Sequence, residues 1–398
     1  MKKIVVFLLL IFSAGCQGQL TEGEGVTGFP VQDLGTNIEI EDAGEEVEEI
    51  QDEERDLFLD ELELLAYHSE KHPELASTIH EFLERYRFNG VALVATGEEI
   101  ILHEAYGTAD QQEGIPMTVD RKFQIASVSK SFAAVGILQL QERGLLSVHD
   151  TLDGYFPGLV NGDNITIHHL MTHSSGLFAG DNLGDYSYPA TPEELTRYAF
   201  REPFLLFSEP GSQTRYSNLG YHLLGMIIEM VSGLSFEEYM EQYVLRPANM
   251  AHSGLNTAGE LLPGVVTAHL GHASAGDPAP WFHPSTGFAA GGLHATALDL
   301  FRYTQALQQD LLIDEGSFQA MTRGHYVVGR AYHGYGWFID ARGIENTISH
   351  TGVLWGWRSI LISHLDNDVT VVLLANHTYN DMALGYTIAN LVLTGIEE

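Results

Sequence analysis

Residues 127–144 read Ser-Val-Ser-Lys-Ser-Phe-Ala-Ala-Val-Gly-Ile-Leu-Gln-Leu-Gln-Glu-Arg-Gly, and the reading of the whole chain starts from them. The run from Ser129 to Arg143 is apolar at most positions and Gly144 supplies a stop, which predicts a helix over 129–143. Ser127 and Lys130 stand at i and i+3 where that helix begins, on one helix face. The spacing sets an amine beside a hydroxyl. A serine hydroxyl is a weak nucleophile and needs a neighbouring base. Lysine at its reference pKa of ~10.4 is protonated at neutral pH, so Lys130 must be perturbed or must act through its charge. The helix N-terminus under Ser127 adds free N–H groups and a positive dipole for a developing oxyanion.

Two further triplets follow in order, Tyr216-Ser217-Asn218 and His350-Thr351-Gly352. Tyr216 can relay protons where a nearby cation holds it as phenolate, and Asn218 can hold a substrate amide or the lysine. Each triplet is a weak signal, while the ordered set is a strong one. The pair His169 and His173 has the i, i+4 spacing of zinc ligands, but H-E-x-x-H is absent and local structure is the expected role. G-x-S-x-G is absent too, which disfavours an α/β-hydrolase.

Outward from this core, a helix is predicted over Pro73–Phe88 with Leu75, Ile79, Phe82 and Leu83 on one face. Strands are predicted at Val91–Thr96 and Ile100–Ala105, with a turn at Gly97-Glu98-Glu99. Residues 150–250 read as helical segments broken by Gly and Pro, one of them Tyr221–Val231, closed near Gly233. Strand character returns at Ile344–His350, Ser359–His364 and Val369–Ala375, and Ala383–Leu393 reads as a closing helix. Strands at both ends and helices between them imply an α+β fold of the α/β sandwich type. An antiparallel sheet built from N- and C-terminal strands is flanked by helices, and the middle forms an inserted, mainly helical lobe. A cleft between sheet and lobe follows.

The three triplets resemble those of the serine β-lactamase and penicillin-binding-protein-like hydrolases, in the branch of class C β-lactamases, D-alanyl-D-alanine carboxypeptidases and related esterases. The resemblance covers about residues 76–396. His168–Leu177 (HHLMTHSSGL), Pro210–Gly225 (PGSQTRYSNLGYHLLG) and Ala290–Asp299 (AGGLHATALD) are similar to further segments of that family. The resemblance implies that Ser127 is acylated and that Lys130 and Tyr216 share the proton work. It implies that Asn218, His350, Thr351 and Gly352 bind substrate, and that the backbone N–H groups of Ser127 and Val353 form the oxyanion hole. His350 stands where many members carry lysine. Since no lysine follows residue 130, it is the candidate cation of that motif, with a charge expected to vary near neutral pH. Val353-Leu354-Trp355-Gly356-Trp357 departs from the small residues common there and is expected to make the cleft narrow and apolar. Trp355 and Trp357 fit cleft and core equally well. Neither cofactor nor metal is implied.

At the N-terminus, Lys2 and Lys3 precede an apolar run from Ile4 to Phe12, then Ser13, Ala14 and Gly15, then Cys16, the one cysteine of the chain. This resembles a lipoprotein signal: residues 1–15 would be removed, Cys16 lipidated, and the protein exported and membrane-anchored. Ser13 departs from the Leu, Val or Ile usual at its position. Residues 17–63 carry seventeen acids and one base, Arg55, and residues 16–70 read as a solvated acidic tether, with a helix over 52–68 suggested by Leu57, Leu62 and Leu65. The calcium-loop spacing is missing. The body is then 71–398.

Composition narrows the function classes. With 398 residues the chain can bury a large core, and a net charge of −35 argues against phosphate-backbone binding. A single cysteine excludes an intramolecular disulfide and Cys-rich metal centres. The expected partners are a small-molecule or peptide substrate and a membrane reached through the lipid anchor, with no nucleic acid and no obligate protein partner. An ester, amide or peptide substrate, a β-lactam substrate and a catalytically inactive binding protein of the same fold remain open on the sequence.

Overall fold

The computed structural model describes residues 65–177, 187–200, 206–255, 259, 262–271, 276–378 and 383–396. They belong to one compact unit spanning residues 54–398. The signal, Cys16 and most of the acidic stretch lie outside the described residues.

The unit opens with a two-residue strand, β1 (Tyr67–His68), then helix α1 (Pro73–Arg85) and the hairpin strands β2 (Gly90–Thr96) and β3 (Glu99–Tyr106). Pro73 at the first turn of α1, with Glu74 beside it and Arg85 in the last turn, suits the helix ends. β1 pairs with β3, Tyr67 opposite His103 and His68 opposite Leu102, so sheet structure already begins inside the stretch read as tether and helix. Two long helices follow, α2 (Ser129–Glu142) and α3 (Asn218–Ser232), with short helical turns between them, and then α4 (Ala297–Gln308). The chain closes with strands β4 (Tyr326–Val328), β5 (Ala331–His333), β6 (Phe338–Ile339), β7 (Thr347–Leu354), β8 (Trp357–His364) and β9 (Val369–Ala375), and helix α5 (Ala383–Ile396).

These nine strands form one antiparallel sheet in the order β1-β3-β2-β9-β8-β7-β6-β5-β4, beside two smaller sheets of two and three short strands. The two ends of the unit meet where β2 pairs β9, from Val369 opposite Thr96 to Ala375 opposite Gly90. The middle of the chain is thereby forced out as a lobe, as the sequence predicts. Because side chains alternate along a strand, each strand feeds two cores. Ala92, Val94, Val371 and Leu373 pack against Ala76, Ile79 and Leu83 of α1 and Ile388 and Val392 of α5. Val91, Leu93, Val372 and Leu374 face the lobe, with Phe132 and Val135 of α2 and Phe301 of α4. Burial on both faces explains why β9 reads as an apolar run from Val371 to Ala375.

Several boundaries differ from expectation, two of them at the site. α3 starts at Asn218, not Tyr221, because the Ser217 hydroxyl accepts from the Gly220 N–H and caps the helix. β7 runs to Leu354, beyond His350, because the two-residue turn Trp355-Gly356 folds it onto β8 with Leu354 opposite Trp357. Gly356 takes the left-handed backbone (φ 74°) that such a turn demands of one residue. The short strands β4 to β6 carry too few residues to show a periodicity.

α2 is buried along its whole first three turns, from Ser129 to Leu140. Phe132 stacks on Tyr303 of α4, ring centroids 3.9 Å apart and planes 12° from parallel. Phe132→Ala is expected to cost about 3–5 kcal/mol in equilibrium denaturation. A loss under about 1 kcal/mol would show that lobe and sheet do not depend on this contact.

Candidate active site

Ser127 lies in a 3-10 turn, Ala126–Val128, that runs straight into α2. Ala126 holds a left-handed backbone (φ 48°), a conformation unfavourable for a side-chain-bearing residue, and strain of this kind concentrates at functional turns. The turn is held by its neighbours: the Ser359 hydroxyl of β8 donates to the Ile125 carbonyl at 2.7 Å, and the Leu293 N–H donates to the Ser129 hydroxyl at 3.2 Å. Ser127 is half-buried, so its hydroxyl is reachable.

Lys130 is fully buried, and its Nζ donates to Ser127 Oγ at 3.1 Å and to the Ala290 carbonyl at 2.6 Å. The same nitrogen lies 4.8 Å from the centre of the Tyr216 ring and 5.5 Å from that of Tyr221. Three of the predicted residues, Ser127, Lys130 and Tyr216, thus meet around one amine. The Tyr216 ring is fixed between His173 (centroids 4.3 Å apart) and Phe338 of β6 (6.5 Å, parallel). Asn218, in the first turn of α3, is half-buried close by in sequence.

His173, for which the sequence predicts a role in local structure, takes that role beside the predicted site residues. Its Nδ1 accepts the Ser217 N–H at 3.1 Å, and its carbonyl accepts the Arg215 N–H at 2.8 Å. It therefore grips the chain on both sides of Tyr216. The position of His173 in the HHLMTHSSGL segment was the available signal. His169 acts elsewhere, where its Nδ1 accepts the Thr166 N–H in the capping box of the helix at Ile167–Met171. Ala290, Ser359 and His333 also shape the site; Ala290 opens the family-like AGGLHATALD segment, while nothing in the one-dimensional pattern marked Ser359 or His333.

The third triplet comes from β7. A Cβ on Gly352 would lie 2.1 Å from both the Ile125 carbonyl and the Ser359 hydroxyl. Only glycine lets the strand approach the serine turn so closely. Thr351 is half-buried and the Val353 side chain is 58% exposed, just past this contact. Trp355 is 39% exposed whereas Trp357 is 7% exposed. The two tryptophans therefore divide: Trp355 sits at the surface, and Trp357 turns into the core beside Trp281 and Phe282, where these residues line a pocket of about 200 Å³.

His350 is buried, and its Nδ1 donates to the Thr351 carbonyl at 2.9 Å, since a carbonyl only accepts. Its Nε2 then carries the lone pair. Burial, reinforced by the Lys130 charge, pushes its pKa down to about 3. The expectation of a cation titrating near neutral pH is corrected: His350 is neutral at pH 7. His173 is held well below the ordinary value by burial, with His333 and Lys130 adding to it, and His222 is pushed to about 3 by burial and Lys130. Burial brings His333 to about 4. The site is thus a group of neutral imidazoles around one buried amine.

Residues 75–394 match the Beta-lactamase family model. The chain belongs to the Beta-lactamase family. Among curated relatives, Penicillin-binding protein 4* of Bacillus subtilis is 29% identical over 326 residues, covering 75% of this chain and 70% of its own. Esterase EstB of Burkholderia gladioli is 31% identical over 357 residues, covering 77% and 90%. The crystal structure of D-amino acid amidase from Ochrobactrum anthropi SV3 complexed with D-phenylalanine superposes with a TM-score of 0.70 at 25% identity, over 81% of this chain and 98% of that one. The family and these neighbours make the protein a serine hydrolase of the β-lactamase and penicillin-binding-protein superfamily, with the expected mixed fold.

Two outcomes follow for this Beta-lactamase family member. Gly352→Ala is expected to displace β7 from the serine turn and lower kcat/KM about 10²-fold, with circular dichroism unchanged; kcat/KM within a factor of about two of wild type would refute the close-approach argument. The second concerns acid. Below ~6.5 the unfolded chain protonates its histidines, while His350, His222, His333 and His168 stay neutral in the fold down to about 3 or 4. The unfolded state then binds more protons, so stability falls as pH drops through this window and levels off below it. The melting temperature should decline between about pH 6.5 and 5, before most carboxylates titrate; a flat profile there would contradict the neutral histidines.

Proposed function

We propose that the protein is an exported, lipid-anchored hydrolase that cleaves an ester or amide of an apolar acyl group through a Ser127 acyl-enzyme. The observation that carries the catalytic reading is the 3.1 Å contact between Lys130 Nζ and Ser127 Oγ, a proton-transfer distance in a site closed to bulk water on the lysine side. Ser127 Oγ attacks the substrate carbonyl carbon as its proton passes to the Lys130 and Tyr216 pair. The backbone N–H groups of Ser127 and Val353 hold the oxyanion of the tetrahedral species. Collapse breaks the bond to the leaving group, which takes the proton back through the same pair. Water then attacks the acyl-enzyme by the reverse path and frees Ser127. Asn218, Thr351 and Gly352 position the substrate.

Two features favour an uncharged, apolar substrate over an anionic one. Val353 and Trp355 offer exposed apolar surface at the end of β7, next to the serine turn. His350 is a neutral acceptor where a lysine would supply positive charge, so it suits a substrate N–H or O–H better than a carboxylate. The esterase among the relatives and the amidase among the structural neighbours support this ranking above β-lactam hydrolysis. Export and anchoring rest on the Lys2-Lys3, Ile4–Phe12 and Cys16 pattern.

Intact-mass spectrometry after a fluorophosphonate or penicillin probe tests this reading, with turnover of p-nitrophenyl acetate and butyrate, D-alanyl amides and nitrocefin. A single adduct is expected in wild type and none in Ser127→Ala, whose ester turnover should fall at least ~10³-fold. Adduct or turnover retained in the variant would sink the assignment. Absence of any adduct in wild type would favour a non-catalytic binding protein, and nitrocefin turnover faster than ester turnover would reverse the substrate ranking.

A further inference from the structure

On the other face of the sheet, three side chains from separate elements converge. His68 of β1 brings Nε2 to 2.9 Å from Glu104 Oε2 of β3, and His80 of α1 brings Nδ1 to 2.7 Å from the same oxygen. The three atoms all lie within 4.8 Å of one another. We propose that His68 Nε2, His80 Nδ1 and Glu104 Oε2 form a zinc-binding site that fastens the first strand of the folded unit to α1 and β3.

The donor chemistry fits. Two imidazoles and one carboxylate are a known zinc set, with the fourth tetrahedral position left to water. Zinc bonds of about 2.0–2.2 Å put neighbouring ligand atoms roughly 3.3–3.5 Å apart, so the histidine nitrogens must withdraw from the carboxylate by about half an ångström and close on each other by up to about 1.5 Å, within reach of side-chain rotation. They have room, because the side chains of His68, His80 and Glu104 are 41%, 35% and 21% exposed. The same exposure gives the ion an entry path. The carboxylate is also oriented from behind: the Tyr106 hydroxyl donates to Glu104 Oε2 at 2.7 Å, the outer contact that metal-binding carboxylates commonly carry. Tyr106 is itself fixed by the Phe88 ring, edge-on at 5.7 Å. A chain of net charge −35 draws cations toward its surface.

Position assigns the role. Tyr106 and the inward face of α1 belong to the core on the α1 and α5 side of the sheet, while Ile125, Val128 and Phe132 around the serine turn belong to the opposite core. The ion is therefore structural and no step of the hydrolysis passes through it. β1 has only two residues and lies at the sheet edge, so a ligand that binds the folded form alone stabilises it by mass action. No compact spacing motif marks these three residues, since Glu104 lies 36 residues from His68 and 24 from His80.

The experiment uses the full-length protein in detergent, stripped with chelator and titrated with zinc sulfate, read by calorimetry and thermal melting. Wild type should bind one zinc at this site and melt at higher temperature with zinc than without. His68→Gln and Glu104→Gln should each lose at least ~10-fold in affinity together with the melting shift, and Tyr106→Phe should lose about 10-fold in affinity. Ester turnover should be the same with and without zinc. His68 is exposed, so His68→Gln stays interpretable even where Glu104→Gln folds poorly. No zinc binding by wild type overturns the proposal, and so does binding of unchanged affinity and stoichiometry in His68→Gln, which would place the ion on other histidines.

Discussion

A buried lysine governs this structure. Burying a lysine amine inside a helix whose neighbours are almost all apolar is costly unless the group is hydrogen-bonded. Lys130 meets that demand with two specific acceptors, Ser127 Oγ and the Ala290 carbonyl, one from its own helix start and one from a segment 160 residues on. Everything around it is arranged to keep those acceptors in place. Gly352 lets β7 close on the serine turn, and a Cβ on Gly336 would lie 2.8 Å from the Lys130 carbonyl. The tight fit at both glycines ties the sheet and the loop before β6 to the first turn of α2. The strained Ala126 backbone is the local cost of presenting Ser127 over that amine.

The same lysine dictates the electrostatics of its neighbours. Burial disfavours charging an imidazole, and inside a low-dielectric pocket positive charge on Lys130 repels a charge on its neighbours. His173, His222 and His350 are all pushed toward the neutral form, with Lys130 contributing in each case. Neutral histidines can then act as directional hydrogen-bonding struts. His173 uses one ring nitrogen to hold Ser217 and places its ring face on Tyr216. Sequence reading assigned His350 a variable charge from its reference pKa alone, because burial and the nearness of Lys130 are long-range facts that no local pattern encodes.

That contrast marks what the sequence could and could not tell. Both long strands of the β8 and β9 pair, the hairpin of β2 and β3 and the helices α1, α2 and α5 were legible, since each is long enough to show its period or its bounding glycines. Ser127, Lys130 and Tyr216 were legible because their chemistry needs fixed spacing at a helix start and a helix entry. The residues that position them were not. Ser359 and Phe338 reach the site only through folding, and an ordinary strand side chain carries no motif; Ala290 opens a family-like segment, but nothing there said that its carbonyl meets Lys130. The stretch at 65–68 shows the same limit. Its leucine spacing suggested helix, but Tyr67–His68 becomes strand because β3 offers an unpaired edge.

Val353 and Trp355 show how a short departure from a family pattern changes a site without disturbing the fold. β7 must keep its ladder to β8, so Thr351 and Gly352 are constrained by pairing and by the serine turn at once. Past Gly352 the constraint relaxes. Leu354 still pairs with Trp357, and Arg358 Nη1 donates to the Leu354 and Trp357 carbonyls and closes the turn, but the side chains at 353 and 355 point where nothing in the core requires them. Exposed apolar residues at such a position lose contact with water only when something apolar lies against them. In the hydrolase proposed above, the geometry around Ser127 is thus set by residues locked between two cores, and the proposal assigns selectivity to the two-residue turn and the single step before it, where substitution is cheap for stability.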